Sequence, residues 1–345
     1  MPFGAKTRKK FMKIIIPMAG RGTRLRPHTL TVPKPLVEIA GKSIVRRLVE
    51  DLAEAYGDTI EEVAFIIGDF GEDVENELVA LAESLGAKGS VYHQTEKLGT
   101  AHAILCAQES LSGNVIVAFA DTLFKSDFAL DTEQESVLWV QQIEDPSAYG
   151  VVTLDEEGYI SEFVEKPTTF VSDLAIIGIY YFKDANMLKN ELQYLIDNNI
   201  MDKGEYQITN ALENMRQKGV KFRTHQIQEW LDCGNKNAVL YANERVLETK
   251  NNAATVASNI TVENSTIVPP CFIDQDVVIK NSVIGPHVSI SRNAVIENSI
   301  ISKSIIQDHS TVNNVVTENS MLGSHTEYIA KKSELSLSDF SKFHQ

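Results

Sequence analysis

The first residues able to do chemistry lie in the stretch 14–37, IIIPMAGRGTRLRPHTLTVPKPLV. An apolar run ends at Ala19 and Gly20; Arg21, Gly22, Thr23 and Arg24 follow, with Arg26 and Lys34 close behind. Glycines directly after a strand let backbone N–H groups approach an anion and form a nest for phosphate oxygens. The planar fork of Arg24 can bridge two such oxygens, and Lys34 adds a point charge. The Walker pattern G-x-x-x-x-G-K-[ST] is absent, and Leu25 breaks a G-x-G-x-x-G reading.

The charge distribution narrows the ligand. Residues 1–50 hold twelve lysines and arginines against Glu38 and Glu50, whereas the whole chain has 32 against 47 acids and a net charge of −15. General nucleic-acid binding needs a broad basic face, which the acidic remainder denies. A local positive site in an acidic protein suits a small polyanion. Lys6 to Lys13 read as a solvated tail. A second chemical group, Asp121, closes the apolar strand NVIVAFAD. It falls at the carboxyl end, where open α/β sheets bind ligands.

These residues need a scaffold. A chain of 345 residues predicts two domains, and 43% hydrophobic with 23% charged residues is ordinary globular composition. No apolar run reaches the roughly 20 residues of a membrane span, so no membrane partner is expected. Strand patterns (13–17, 63–68, 114–121) alternate with helical ones (43–56, 71–86, 99–111), which indicates parallel βαβ units. After Asp121 three strand-like runs follow, the middle one a hairpin turning at Asp155–Gly158. Helical patterns return at 184–197 and 207–217, then a strand, VKFRTHQI, and a polar helix at 235–249.

From residue 267 the chain repeats. Ile267, Ile273, Ile279, Ile284, Ile290, Ile296, Ile301 and Ile306 open blocks of five or six residues. This is the hexapeptide pattern of a left-handed parallel β-helix, whose branched residues stack in one apolar column. Cys106, Cys233 and Cys271 fit neither a disulfide framework nor a zinc spacing, and a reducing cytoplasm is the expected location.

With Arg24, Leu25, Pro27, Thr29 and the PKPL of 33–36 in place, the opening stretch resembles the sugar-1-phosphate nucleotidyltransferases. Their signature reads G-x-G-T-R-L-x-P-x-T, then P-K-P-L; Ala19 stands where many members have glycine. The resemblance covers about residues 12–330. It implies a Rossmann-like mixed-sheet α/β nucleotidyltransferase domain over 12–250, followed by the left-handed β-helix over 255–330. QTEKLGTAHAI (94–104) resembles the base-reading segment of the pyrimidine-specific members, which implies base contacts for Gln94, Gly99 and Thr100. With Ala19, Gly20, Gly22, Thr23, Arg24 and Lys34 these form the implied nucleotide site. VAFADTLF and EWLDCGN match elements that bring two aspartates to one Mg²⁺, here Asp121 and Asp232. FVEKP and the residues around it resemble the sugar-phosphate half, with Gly150, Glu165, Lys166, Ile176 and Gly178. The implied catalytic set is Arg24, Lys34, Asp121, Lys166 and Asp232.

The expected reaction joins dTTP or UTP to a sugar-1-phosphate, with glucose-1-phosphate as the default and pyrophosphate as the leaving group. One alternative is a bifunctional N-acetylglucosamine-1-phosphate uridylyltransferase and acetyltransferase, another a non-catalytic nucleotide-sugar sensor. The adenylyltransferases carry an Arg-Ala-Lys-Pro element that is absent here. A homo-oligomer built through the β-helix is expected, because its flanks and open ends favour assembly.

Overall fold

The computed structural model describes residues 11–20, 22–125, 130–249, 255–331, 334 and 336–342. Arg21 and most of the basic lead therefore lie outside the described residues. By internal contacts the chain forms two units: Met1–Val37 with Ser43–Gly234, and Glu38–Lys42 with Asn235–Gln345.

In the first unit the strand Met12–Pro17 runs parallel to Ile60–Ile67 on one side and Asn114–Ala118 on the other. Ile14, Ile15 and Ile16 are fully buried, which explains an apolar run without alternation: the strand is covered on both faces. Lys88–His93 extends the parallel half, and Leu174–Phe182 joins Asn114–Ala118 antiparallel, so the nine-stranded sheet is mixed. Helix α1 (Ile44–Tyr56) begins where the Ser43 hydroxyl accepts the Arg46 N–H, and ends at Gly57, whose left-handed backbone donates to Ala53. Its buried Ile44, Val45, Leu48, Val49 and Leu52 lie on one stripe, each worth about 1.5–3 kcal/mol of burial. Helices α2 (Glu72–Ser84), α3 (Thr100–Cys106), α4 (Ala185–Asp197) and α5 (Ile208–Gln217) complete the cover. The expected hairpin is present: Gly158 N–H donates to Asp155 across the turn at 3.1 Å.

Helix α3 stops at Cys106, short of the expected 111. Tertiary bonds hold the following residues in turns. The Ser110 hydroxyl donates to buried Glu62 at 3.0 Å and meets the Tyr92 hydroxyl at 2.8 Å, while Lys189 holds the Gln108 carbonyl at 3.0 Å.

The second unit is the expected parallel β-helix with one helix. Its strands stack into parallel sheets of five, five and four, each strand pairing with its counterpart one coil on. Ile273 pairs Ile290, Ile279 pairs Ile296 and Ile284 pairs Ile301, all essentially buried. Among the described residues the coils start at Thr255, ahead of Ile267; this end is largely exposed, with Ile260 and Ile267 only partly buried against the apolar column. Two polar ladders run alongside. Asn264, Asn281, Asn298 and Asn313 pass side-chain hydrogen bonds from coil to coil. Ser282 and Ser299 donate within their own coil and accept the N–H of Ser299 and Val315 from the next.

The polar helix at 235–249 is α6 (Lys236–Glu248); the sequence assigns it to the catalytic domain, whereas its contacts belong to the second unit. Asn243, 1% exposed, explains this. Its Oδ1 accepts the Ala40 N–H and the Ser289 hydroxyl, and its Nδ2 donates to the His287 carbonyl.

Candidate active site

A strand pairing brings the two aspartates together across 111 residues of chain. Thr122–Lys125 pairs antiparallel with Glu229–Asp232, placing Thr122 opposite Asp232, and the Cys233 N–H donates to the Asp121 carbonyl at 2.8 Å. Burial first, then the charge of Asp121, pushes the Asp232 carboxyl above its usual range; Arg24, Lys34 and the Gly234 N–H pull the other way. Lys34 Nζ lies 2.7 Å from Asp121 Oδ2. A Cβ on Gly234 would stand 2.9 Å from both Arg24 Nη2 and Asp232 Oδ1, so the ends of the guanidinium and the carboxylate converge over this residue. Burial, with Asp121 and Asp232 nearby, pushes the adjacent Cys233 thiol far up, which leaves it inert.

The glycine turn is folded by packing. Gly22 is left-handed at φ +58°, and a Cβ there would meet Lys34 Cβ at 2.9 Å. The Thr29 hydroxyl donates to the Gly22 carbonyl at 2.7 Å, tying the turn to the segment that carries Lys34. Thr23–Leu25 forms a single 3₁₀ turn anchored by fully buried Leu25, with Arg24 exposed beside it. Around Gly20 a Cβ would find nothing within 4 Å, so this backbone is open to an incoming group.

A cleft of about 250 Å³ is lined by Ala19, Gly20, Lys34, Gln94, Gly99, Thr100 and Asp121. Gln94 Nε2 donates to the Gly99 carbonyl and meets His102 Nδ1, both at 3.2 Å. Gly99 is required twice over: φ is +108°, and a Cβ would lie 2.5 Å from the Tyr206 carbonyl oxygen. The Thr100 hydroxyl is already engaged, donating to Gln207 Oε1 and accepting the Ile208 N–H. It positions the wall of the cleft. Lys97 and Glu205 also line this space, and no motif singled them out.

The residues expected on the sugar side form a second group. Gly150 pairs Glu165 across the hairpin, and a Cβ on Gly150 would meet Glu165 Oε2 and Thr209 at 3.2 Å and Ile176 at 3.4 Å. The Thr209 hydroxyl donates to Glu165 Oε2 at 3.0 Å, while Lys166 Nζ lies 3.4 Å from Oε1 and stays half exposed. Gly178, left-handed, breaks its strand's register and packs on Phe119, which lines the cleft. Tyr149 links the groups. Its N-terminal neighbours aside, its carbonyl accepts the Lys166 N–H, its ring sits edge-on to Trp230, and burial followed by the charge of Asp232 raises its hydroxyl. Trp230 Nε1 is buried and has no hydrogen-bond partner among the described residues. Neither Tyr149 nor Trp230 is among the residues read from the sequence, although Trp230 lies within EWLDCGN.

Residues 13–249 match the profile of the family described as Nucleotidyl transferase. The chain belongs to that family. Residues 243–331 of this nucleotidyl transferase match a second profile, GlmU-like, C-terminal hexapeptide. The chain is 29% identical over 262 residues to the low-salt glycan biosynthesis nucleotidyltransferase Agl11 of Haloferax volcanii, covering 73% of this chain and 71% of that protein. It is 39% identical over 192 residues to the mannose-1-phosphate guanylyltransferase catalytic subunit beta of Danio rerio, covering 53% of this chain. That match spans about half of the guanylyltransferase subunit, 52% of its length. A solved UDP-glucose pyrophosphorylase complexed with UDP-glucose superposes with a TM-score of 0.57 at 25% identity, over 69% of this chain and 99% of that one. Among the described residues, no helix is long and apolar enough to cross a membrane.

Proposed function

We propose that this nucleotidyl transferase moves a nucleoside monophosphate from dTTP or UTP to a sugar-1-phosphate, with glucose-1-phosphate as acceptor, and releases pyrophosphate. The observation that carries the reading is the meeting of Asp121, Asp232, Arg24 and Lys34 beside a cleft that also holds Gln94. The acceptor's phosphate oxygen attacks the α-phosphorus in line. It is already ionised near neutral pH, so catalysis rests on positioning and on neutralising charge. Arg24 and Lys34 take the charge of the departing pyrophosphate. Lys166 holds the sugar's phosphate, and Glu165 accepts from sugar hydroxyls.

Asp121 and Asp232 are the residues to hold Mg²⁺, which supplies neutralisation between the two phosphates when bound. The fit rests on their crowding: burial, then the charge of Asp121, raises the cost of ionising Asp232, and a dication relieves it.

For the base, Gln94 spends its Nε2 on Gly99 and His102, which leaves Oε1 to accept. An acceptor suits the N3–H of uracil or thymine. It also suits the N1–H of guanine, so the likeness to a guanylyltransferase subunit makes GTP with mannose-1-phosphate the second reading. The homo-oligomer remains a proposal, supported by an in-register ladder of Val283, Ile300 and Val316 that is 37%, 51% and 79% exposed on one β-helix face.

Pyrophosphate release across five nucleoside triphosphates and four sugar-1-phosphates tests the reaction. One strong pairing of a pyrimidine nucleotide with glucose-1-phosphate is expected. A GTP and mannose-1-phosphate maximum would install the second reading, and silence throughout would favour the sensor.

A further inference from the structure

Within the second unit, three side chains with metal-ligand chemistry converge. Glu244 and Glu248 lie one turn apart on α6, and His287 reaches them from the corner before the strand Val288–Ile290. His287 Nδ1 is 3.5 Å from Glu244 Oε1, and Nε2 is 3.3 Å from Glu248 Oε1. One donor atom from each residue lies within 4.8 Å of the other two.

Three features of this cluster ask for an ion. Like charges at i and i+4 on a helix repel, so α6 gains nothing from presenting two glutamates on one face. The His287 side chain is only 14% exposed, and its buried Nδ1 has no hydrogen-bond partner among the described residues. A buried polar nitrogen left unpaired carries a desolvation cost. The donors are also near enough to share one ion: all three lie within 4.8 Å of one another, and small side-chain rotations bring them to the roughly 3.3–3.4 Å set by tetrahedral Zn²⁺ with bonds of about 2.0–2.1 Å. Arg245 pairs with Glu248 Oε2, which orients that carboxylate and leaves Oε1 toward His287.

We infer that His287, Glu244 and Glu248 form a site for a divalent transition-metal ion, with Zn²⁺ the best match. An imidazole with two carboxylates separates this site from the all-oxygen Asp121–Asp232 pair, because imidazole nitrogen suits zinc and its neighbours and not Mg²⁺. Bound there, the ion staples α6 to the coil that follows Gly285–Pro286. The site does not depend on the proposed reaction.

The test uses the full chain carrying Asp121→Asn, which weakens the aspartate pair as a competing sink, stripped with EDTA and titrated with Zn²⁺ by calorimetry. One tight equivalent is expected, with a rise in melting temperature. Glu244→Gln and His287→Asn should each weaken that equivalent at least tenfold and abolish the rise; asparagine tolerates the left-handed backbone at 287, where φ is +61°. Co²⁺ in place of Zn²⁺ should give visible bands that both substitutions erase. Unchanged Zn²⁺ binding in the two variants, or no stoichiometric binding at all, would overturn the site. Thermal melts of both variants without metal separate loss of ligation from loss of fold.

Discussion

The amine of Lys34 sits 2.7 Å from Oδ2 of Asp121, so the cation proposed to meet a triphosphate rests on the acid proposed to meet its metal. The pair is lopsided, with Lys34 at 13% and Asp121 at 36% side-chain exposure. On that proposal, binding should exchange partners: the amine leaves for phosphate as the carboxylate takes up the ion. Lys34→Met should cut turnover about 100-fold or more while tightening Mn²⁺ binding to the free enzyme, since it removes a competing cation. Mn²⁺ titration followed by electron paramagnetic resonance reads the second effect, and weaker Mn²⁺ binding would count against the exchange.

Asp121→Asn should lower kcat by about 10²–10³, the size of an electrostatic contribution of roughly 3–4 kcal/mol, with little change in binding of free sugar phosphate. Steady-state kinetics beside calorimetry with glucose-1-phosphate separates the two. Equal, small effects on both would remove Asp121 from the reaction.

Asp232 gives a pH signature. Its folded pKa is raised, so its favourable contribution to stability is complete below the ordinary carboxylate range and is lost as pH rises through the raised value. Asp232→Asn should therefore raise the melting temperature of the ligand-free enzyme near pH 7, and the gain should vanish in acid. On the proposed reading, activity should run the opposite way, because the ionised carboxylate is the form that would hold the metal. The acid limb of kcat/KM should fall above the range of an ordinary aspartate, and a limb at or below it would contradict the burial argument.

Two glycines should fail differently. Gly99→Ala forces a side chain against the Tyr206 backbone and into a positive φ, so a loss of about 2–4 kcal/mol of stability is expected. Gly234→Ala has no positive φ and presses only on the ends of Arg24 and Asp232. It should leave urea unfolding nearly unchanged and reduce kcat/KM. Matched unfolding and kinetic measurements on both variants decide this.

In the β-helix, Ser299→Ala removes the acceptor of the buried Val315 N–H and should cost about 1–3 kcal/mol. Asn298→Gly, which keeps the left-handed backbone (φ +49°) and removes only the exposed ladder's amide, should cost far less. Denaturant melts of the two variants give the comparison.

The isoleucine column was legible because each block is read locally: Ile273, Ile279 and Ile284 are buried for the reason their spacing suggests. The strand Met12–Pro17 and the glycine turn were legible for the same reason. The aspartate pair was not, since its proximity comes from the register of Thr122 on Asp232, and no local pattern encodes a pairing over that span. Resemblance supplied it. Thr100 shows the reverse limit. Its motif suggests a base contact and it lines the cleft, yet nothing local encodes the bonds that hold its hydroxyl, to Gln207 and Ile208 more than a hundred residues away. The end of α3 was misjudged because Glu62 and Lys189, both remote, decide where the helix stops.

Gln307 donates its side-chain amide to the carbonyl of Glu38, and Ser291 donates its hydroxyl to the Glu38 carboxylate, across 269 and 253 residues of chain. A ribosome delivers Glu38–Lys42 long before either partner exists. Glu38–Lys42 belongs to the second unit and so stays unsatisfied until the late coils emerge. Long sequence separation slows such closures, so this unit is completed only as the last third of the chain is made.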